Sequence, residues 1–160
     1  MAPNGVLQFP QYMDDTFKIF VRRLKDGHYE TIKESLSPEF LDIHEADLAF
    51  ESPVICVGTA TVADEMLLLQ LAIETEATMR CAICNRDVQV KISITDFYVT
   101  KRLSEIKSGV FNYQEVLREG ILLELPYSAE CNGGDCPERV SLAKYFTKKA
   151  EKGDHYGSTT

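Results

Sequence analysis

The chain is short of positive charge. Lys and Arg total 17 against 25 Asp and Glu, a formal net charge of −8. Generic nucleic-acid binding needs a cationic footprint, so this balance argues against it and in favour of solubility. Any RNA contact has to come from a local patch or through a protein partner. Long apolar runs are missing too. The longest, MLLLQLAI at 66–73, is broken by Gln70 and falls well short of the ~20 residues a membrane span requires. The N-terminus MAPNGVLQF has neither a basic region nor a long apolar stretch, so no secretory signal is expected and the expected compartment is the cytoplasm. Walker, GxGxxG, GxSxG and HExxH motifs are all lacking, which removes the common nucleotide, hydrolase and metalloprotease chemistries. His28, His44 and His155 are scattered and read as surface or turn residues, because none has a nucleophile and carboxylate in a recognisable motif. Carboxylates are plentiful, yet no spacing singles out an acid–base pair. The chain is therefore expected not to be an enzyme.

What is present suits one globular domain. Hydrophobic residues make up 44% of 160, enough for a core and too many for a disordered chain. No repeat, low-complexity tract or linker divides the chain. A single domain over 1–152 is expected, with a flexible tail over 153–160.

Residues 16–24 alternate as a strand, with Phe17, Ile19 and Val21 on one face. Asp26-Gly27 then signals a turn, and a second strand near 28–35 would pair back across the first. Pro38 could open a short helix ending near Leu48. Residues 54–62, VICVGTATV, form the next strand, where Gly58 marks a bulge or a close backbone approach. Strand 65–80 places Leu67, Leu69, Leu71, Ile73, Ala77 and Met79 on one face; strand 86–99 does the same with Val88, Val90, Ile92 and Ile94. The first is apolar at odd positions and the second at even ones. In an antiparallel pair facing residues share a sheet face, so the two strands fit a hairpin centred between Ala82 and Ile83. That register faces Thr75 with Val90, Ile73 with Ile92 and Leu71 with Ile94, and leaves CAIC at the tip. A helix follows, capped by Asn112 with Glu115 closing a capping box and Phe111 stapling against Val116. Val116, Leu117 and Leu123 are its expected core residues, with Ile121 nearby, and Pro126 ends it. A last helix over 137–151 opens at Pro137. The expected fold class is α+β: an antiparallel β-rich domain with a long central hairpin and two C-terminal helices.

Four of the five cysteines form two close pairs, Cys81 with Cys84 and Cys131 with Cys136. Thiolates two to four residues apart on a turn can grip one ion together, and two such turns complete a tetrahedral site. Without a secretory context, paired cysteines mean metal or redox chemistry more often than structural disulfides. The spacing favours one structural zinc ion per chain, closed to water. A CxxC redox pair fits less well, because such pairs usually sit at a helix N-terminus whose dipole lowers the thiol pKa. Unliganded cysteines are the third reading. Arg80, Arg86 and Arg139 lie near the pairs in sequence; they either offset the charge of a tetrathiolate or are solvated. Cys56 shares a strand face with Val54 and Val62 and reads as a core residue. Lys144, Lys148 and Lys152 recur at steps of four beside Lys149, the only basic stripe in the chain. It is either a contact for RNA phosphates or an acidic partner, or a solvated helix face.

The order of these features is suggestive. A β-rich half ends in C-x2-C, a strand follows, then a helix reading EVLREGILLELP, then the second cysteine pair. Over roughly 50–140 this resembles the YceD-like family, the large ribosomal RNA subunit accumulation proteins. The matching residues are Cys81 and Cys84, then Leu122-Leu123-Glu124-Leu125-Pro126, then Cys131 and Cys136. Within the first pair this chain lacks the family's usual arginine, and Arg86 follows the pair instead. The resemblance implies a cytoplasmic bacterial or organellar factor that supports accumulation or processing of large-subunit (23S) rRNA. Its implied partners are ribosomal precursor particles, rRNA or a ribosomal protein, with no membrane and no small-molecule substrate. Two alternatives stand beside it: a zinc-ribbon-like protein-interaction module unrelated to ribosomes, and a CxxC thiol oxidoreductase.

Overall fold

The computed structural model describes residues 15–141. In chain order its strands are β1 (Lys18–Phe20), β2 (Glu30–Leu36), β3 (Leu48–Ala49), β4 (Val54–Ala63), β5 (Met66–Arg80), β6 (Asp87–Arg102) and β7 (Val110–Asn112), followed by helix α1 (Gln114–Leu123). This is an α+β fold carried mainly by antiparallel strands. No helix among the described residues is long and apolar enough to cross a membrane.

The larger sheet grows from β5. β4 pairs with it over Met66–Glu74, β3 over Thr78 and Met79, and β6 along nearly all of its length. A strand has two edges, so β3 takes up the edge of β5 beyond the end of β4. β2 lies outside β4. The alternation read in β5 holds: Leu67, Leu69, Leu71, Ile73 and Ala77 are buried. They meet Ile19, Leu24, Leu41, Phe111, Leu117 and Ile121, contributed by the small β1–β7 ribbon, the turns near it and α1. The other face of the sheet is open among the described residues. Ile55 and Val57 of β4 remain 39% and 44% exposed there.

The central hairpin differs from expectation in register. Thr75 faces Ile92, Ala77 faces Val90 and Ile73 faces Ile94, two positions from the expected pairing. The parity is as expected, so the same side chains turn inward, but the tip is a wider turn over 81–86. Toward the other end the ladder shifts between Leu71 and Ile73. Leu71 then faces Phe97, and Leu69 faces Val99. The bulge adds one residue to β6, so its inward positions change from even to odd.

Gly58 is explained by close approach. A Cβ there would lie 1.9 Å from the Gln70 carbonyl oxygen on β5.

Three local expectations are corrected. The first strand stops at Phe20, and Val21–Gly27 forms 3-10 turns instead; Val21 and Leu24, three apart, are both buried by that winding. This detour prevents a hairpin, so β1 pairs with β7, and β2 pairs with β4. The segment from Pro38 is one 3-10 turn ending at Asp42 in a left-handed conformation, well before Leu48. In α1 the N-cap is Tyr113, whose side chain makes no capping bond; the Asn112 carboxamide oxygen, one residue before the cap, accepts the Gln114 N–H at 2.9 Å. Glu115 instead lies 4.0 Å from Arg118. Leu117 and Ile121 form its inner face, while Leu123 is 85% exposed. Residues 139–141 are helical; the rest of the expected second helix and the 153–160 tail lie outside the described residues.

Candidate metal centre

Each cysteine pair is carried by a turn whose shape follows from local sequence. As β5 ends, the Cys81 N–H donates to the Arg86 carbonyl at 2.7 Å and the Asn85 N–H donates to the Cys81 carbonyl at 2.9 Å. Asn85 takes a left-handed conformation, φ 66°, which asparagine tolerates better than most residues. This winding aims backbone donors at sulfur. Cys81 Sγ accepts from the Ile83 N–H at 3.4 Å and the Cys84 N–H at 3.5 Å.

The second pair is brought up by a short backbone bridge. Ala129 lies parallel to Cys81, and its carbonyl accepts the Ala82 N–H at 2.8 Å. Cys131 follows and donates its own N–H to Cys81 Sγ at 3.3 Å. The chain then reverses through Asn132, Gly133 and Gly134, all at positive φ. The Asn132 side chain donates to the Asp135 carbonyl at 2.9 Å and holds the reversal closed. Cys136 Sγ accepts from the Glu138 N–H at 3.4 Å.

These turns place the ligand sulfurs of Cys81, Cys84, Cys131 and Cys136 within 4.8 Å of one another. Among the described residues no other group of three or more such side chains gathers in this way. Cys84 and Cys131 touch across the pairs at 3.6 Å. That is far beyond the ~2.05 Å of a disulfide, and all five cysteines are free. An ion bonded at about 2.3 Å to four tetrahedral thiolates sets sulfur–sulfur edges of about 3.8 Å. A modest contraction of the cluster therefore completes a metal site. Cys81 and Cys136 are buried; Cys84 and Cys131 are half-buried.

The electrostatics fit a cation. Burial pushes the Cys81 thiol up, but the N–H groups of Cys84, Cys131 and Ile83 outweigh it and bring it down to about 6. Cys131 is pushed up to about 12, by burial first and then by the thiols of Cys136, Cys84 and Cys81. Cys136 is raised as well, chiefly by burial. One thiolate forms readily, and further negative charge in so small a space requires a positive partner.

Glu130 was not singled out in the sequence, yet it organises the second turn. Its Oε2 accepts the Cys136 N–H at 2.8 Å and Arg139 Nε at 2.9 Å, while Oε1 accepts Arg139 Nη2 at 2.8 Å. The Arg139 contact, followed by the Cys136 N–H, lowers the Glu130 carboxyl to about 2. The Arg139 pKa is raised chiefly by this carboxylate, with smaller contributions from the charges of Asp135 and Cys136. Arg80 lies 3.8 Å from Asp87. Arg86 contributes its carbonyl to the first turn. Nothing in the spacing of Glu130 and Arg139 marks them as a pair, since nine residues correspond to no helical or strand repeat.

The remaining sequence candidates separate cleanly. Cys56 is fully buried in the core, and burial followed by the Glu34 charge raises its thiol to about 12. His44 bonds to Asp42 at 2.8 Å on the surface. Lys144, Lys148, Lys149, Lys152 and His155 lie outside the described residues. No protein-family model matches the chain, nor does any curated protein or solved structure.

Proposed function

We propose that the protein is a non-catalytic accessory factor built around one structural zinc ion and serving the accumulation of large-subunit (23S) rRNA. The observation that carries the metal half is the convergence of four sulfurs within 4.8 Å on two turns. Zinc suits an all-thiolate tetrahedral set with no redox demand. Four protein ligands leave no position for water, so the ion holds structure and activates no nucleophile. Its role is to pin the tip of the β5–β6 hairpin to the segment after α1. The thiol-oxidoreductase alternative is favoured by the lowered Cys81 thiol, but that sulfur is buried and so out of reach of a substrate disulfide.

The ribosomal half is supported by the order of features from the C-x2-C strand through EVLREGILLELP to the second pair. The chain would act through contacts with precursor particles, rRNA or a ribosomal protein in the cytoplasm, with the basic residues Lys144, Lys148, Lys149 and Lys152 as candidate contacts. Native mass spectrometry of freshly purified protein tests the metal. One zinc per chain, absent in Cys131→Ser, is the expected result; a metal-free wild type overturns it. Depletion in the source cell tests the rest. Large-subunit rRNA should fall relative to small-subunit rRNA, and an unchanged ratio rejects the ribosomal role.

A further inference from the structure

The four cysteines are not equivalent. Cys81 and Cys136 are 2% and 1% exposed, whereas Cys84 and Cys131 are half-buried. Backbone donors cover the same inner pair: three N–H groups reach Cys81 Sγ and one reaches Cys136 Sγ. Among the described residues no backbone N–H bonds to the sulfur of Cys84 or Cys131. A hydrogen bond to a thiolate disperses its charge and makes it a poorer nucleophile. Bound to the ion, the four sulfurs would be held as thiolates, which removes the penalty that raises the Cys131 thiol in the metal-free chain. The outer two then keep access to solvent without the backbone donors that damp the inner pair. They also touch, at 3.6 Å, one from each turn.

We propose that Cys84 and Cys131 are a paired oxidative modification site for peroxide, in which a Cys84–Cys131 disulfide replaces the metal as the clasp between the two turns. The inference rests on the zinc reading above. One outer thiolate attacks the peroxide O–O bond, taking one oxygen as a sulfenic acid and releasing hydroxide. The other thiolate attacks that sulfur, forms the S–S bond and expels the second oxygen as hydroxide. The two sulfurs supply two electrons, the peroxide is reduced, and two protons from solvent complete two waters. Cys81 and Cys136 alone supply only two of four ligands, so zinc leaves. The sulfurs have about 1.5 Å to close to disulfide length. Both sit on turns, and the Cys131 turn contains two glycines, so the movement does not disturb the sheet.

The test uses the wild-type full chain, titrated with hydrogen peroxide. Zinc release is followed with a chromophoric chelator, and cysteine pairing is mapped by tandem mass spectrometry under non-reducing conditions after trapping free thiols. The expected result is one zinc released per Cys84–Cys131 disulfide formed, with Cys81 and Cys136 still alkylatable, and full reversal by a phosphine reductant with added zinc. Disulfides within the pairs, Cys81–Cys84 or Cys131–Cys136, overturn the inference while leaving the zinc reading intact. Overoxidation to sulfinic acid without a cross-link does the same. A chain that carries no zinc before treatment rejects the metal reading, and the cysteine map then still decides whether Cys84 and Cys131 are the reactive pair.

Discussion

At Gly58 one hydrogen atom stands where any other residue has a side chain. The clash of an added Cβ is with a backbone carbonyl, which cannot swing aside as a flexible side chain would. Gly58→Ala should cost about 1–3 kcal/mol, in the range of overpacked cores, read as a lowered midpoint in chemical denaturation; an unchanged midpoint would mean the two strands are not so close. Glu130 makes a prediction in pH. Its folded value of about 2 lies below the ordinary 4.5. A depressed carboxyl stabilises the fold above its unfolded value and loses that contribution as pH falls from 4.5 toward 2. In the metal-free chain, Glu130→Gln should therefore melt at a lower temperature than wild type near neutrality. The gap should narrow through that acid window and close near its lower end. A gap that stays constant with pH would show that the charge on Glu130 contributes nothing.

The long strands were the most legible elements, and the reason is physical. β4, β5 and β6 each bury one face, so apolar residues alternate and their parity fixes which side is inside. Parity does not fix how far a hairpin tip extends, and the pairing of Thr75 with Ile92 instead of Val90 shows the remaining freedom. The bulge was legible in principle, since apolar residues switch from Ile92 and Ile94 to Phe97 and Val99. The β1–β7 pairing was not, because strands of three residues far apart in sequence carry no register signal. The cysteine cluster was readable from spacing; the Glu130–Arg139 clamp arises only from the tertiary path. At the turn between β4 and β5, Asp64 and Glu65 both have positive φ, 52° and 62°. Glycine occupies this region without the ~1–2 kcal/mol penalty of other residues, although it also loses more freedom on folding. Glu65→Gly should thus raise stability by about 0.5–1 kcal/mol, seen as a higher denaturation midpoint. A fall would mean that the Glu65 side chain has a compensating role.

For the molecule as a whole, the core and the metal centre are separate centres of stability. The core cluster runs from Ile19 to Ile121 and includes none of the four clustered cysteines. Removing a bound metal with a chelator should therefore speed amide exchange at 81–86 and 129–139 while leaving the 66–74 segment of β5 protected. Collapse of protection throughout would show that the ion supports the entire fold, as it does in the smallest zinc domains. The placement of the two turns has one mechanical consequence. A bound ion joining Cys81 to Cys136, the first and last ligands in the chain, makes the intervening chain a closed ring that contains β6, β7 and α1. Tension applied at the two termini then bypasses that ring. Its 54 residues, 82–135, about 18 nm when extended, stay hidden until the ion is pulled out. A single-molecule stretching trace should release that length in a final step, and should lose the step once the metal is stripped.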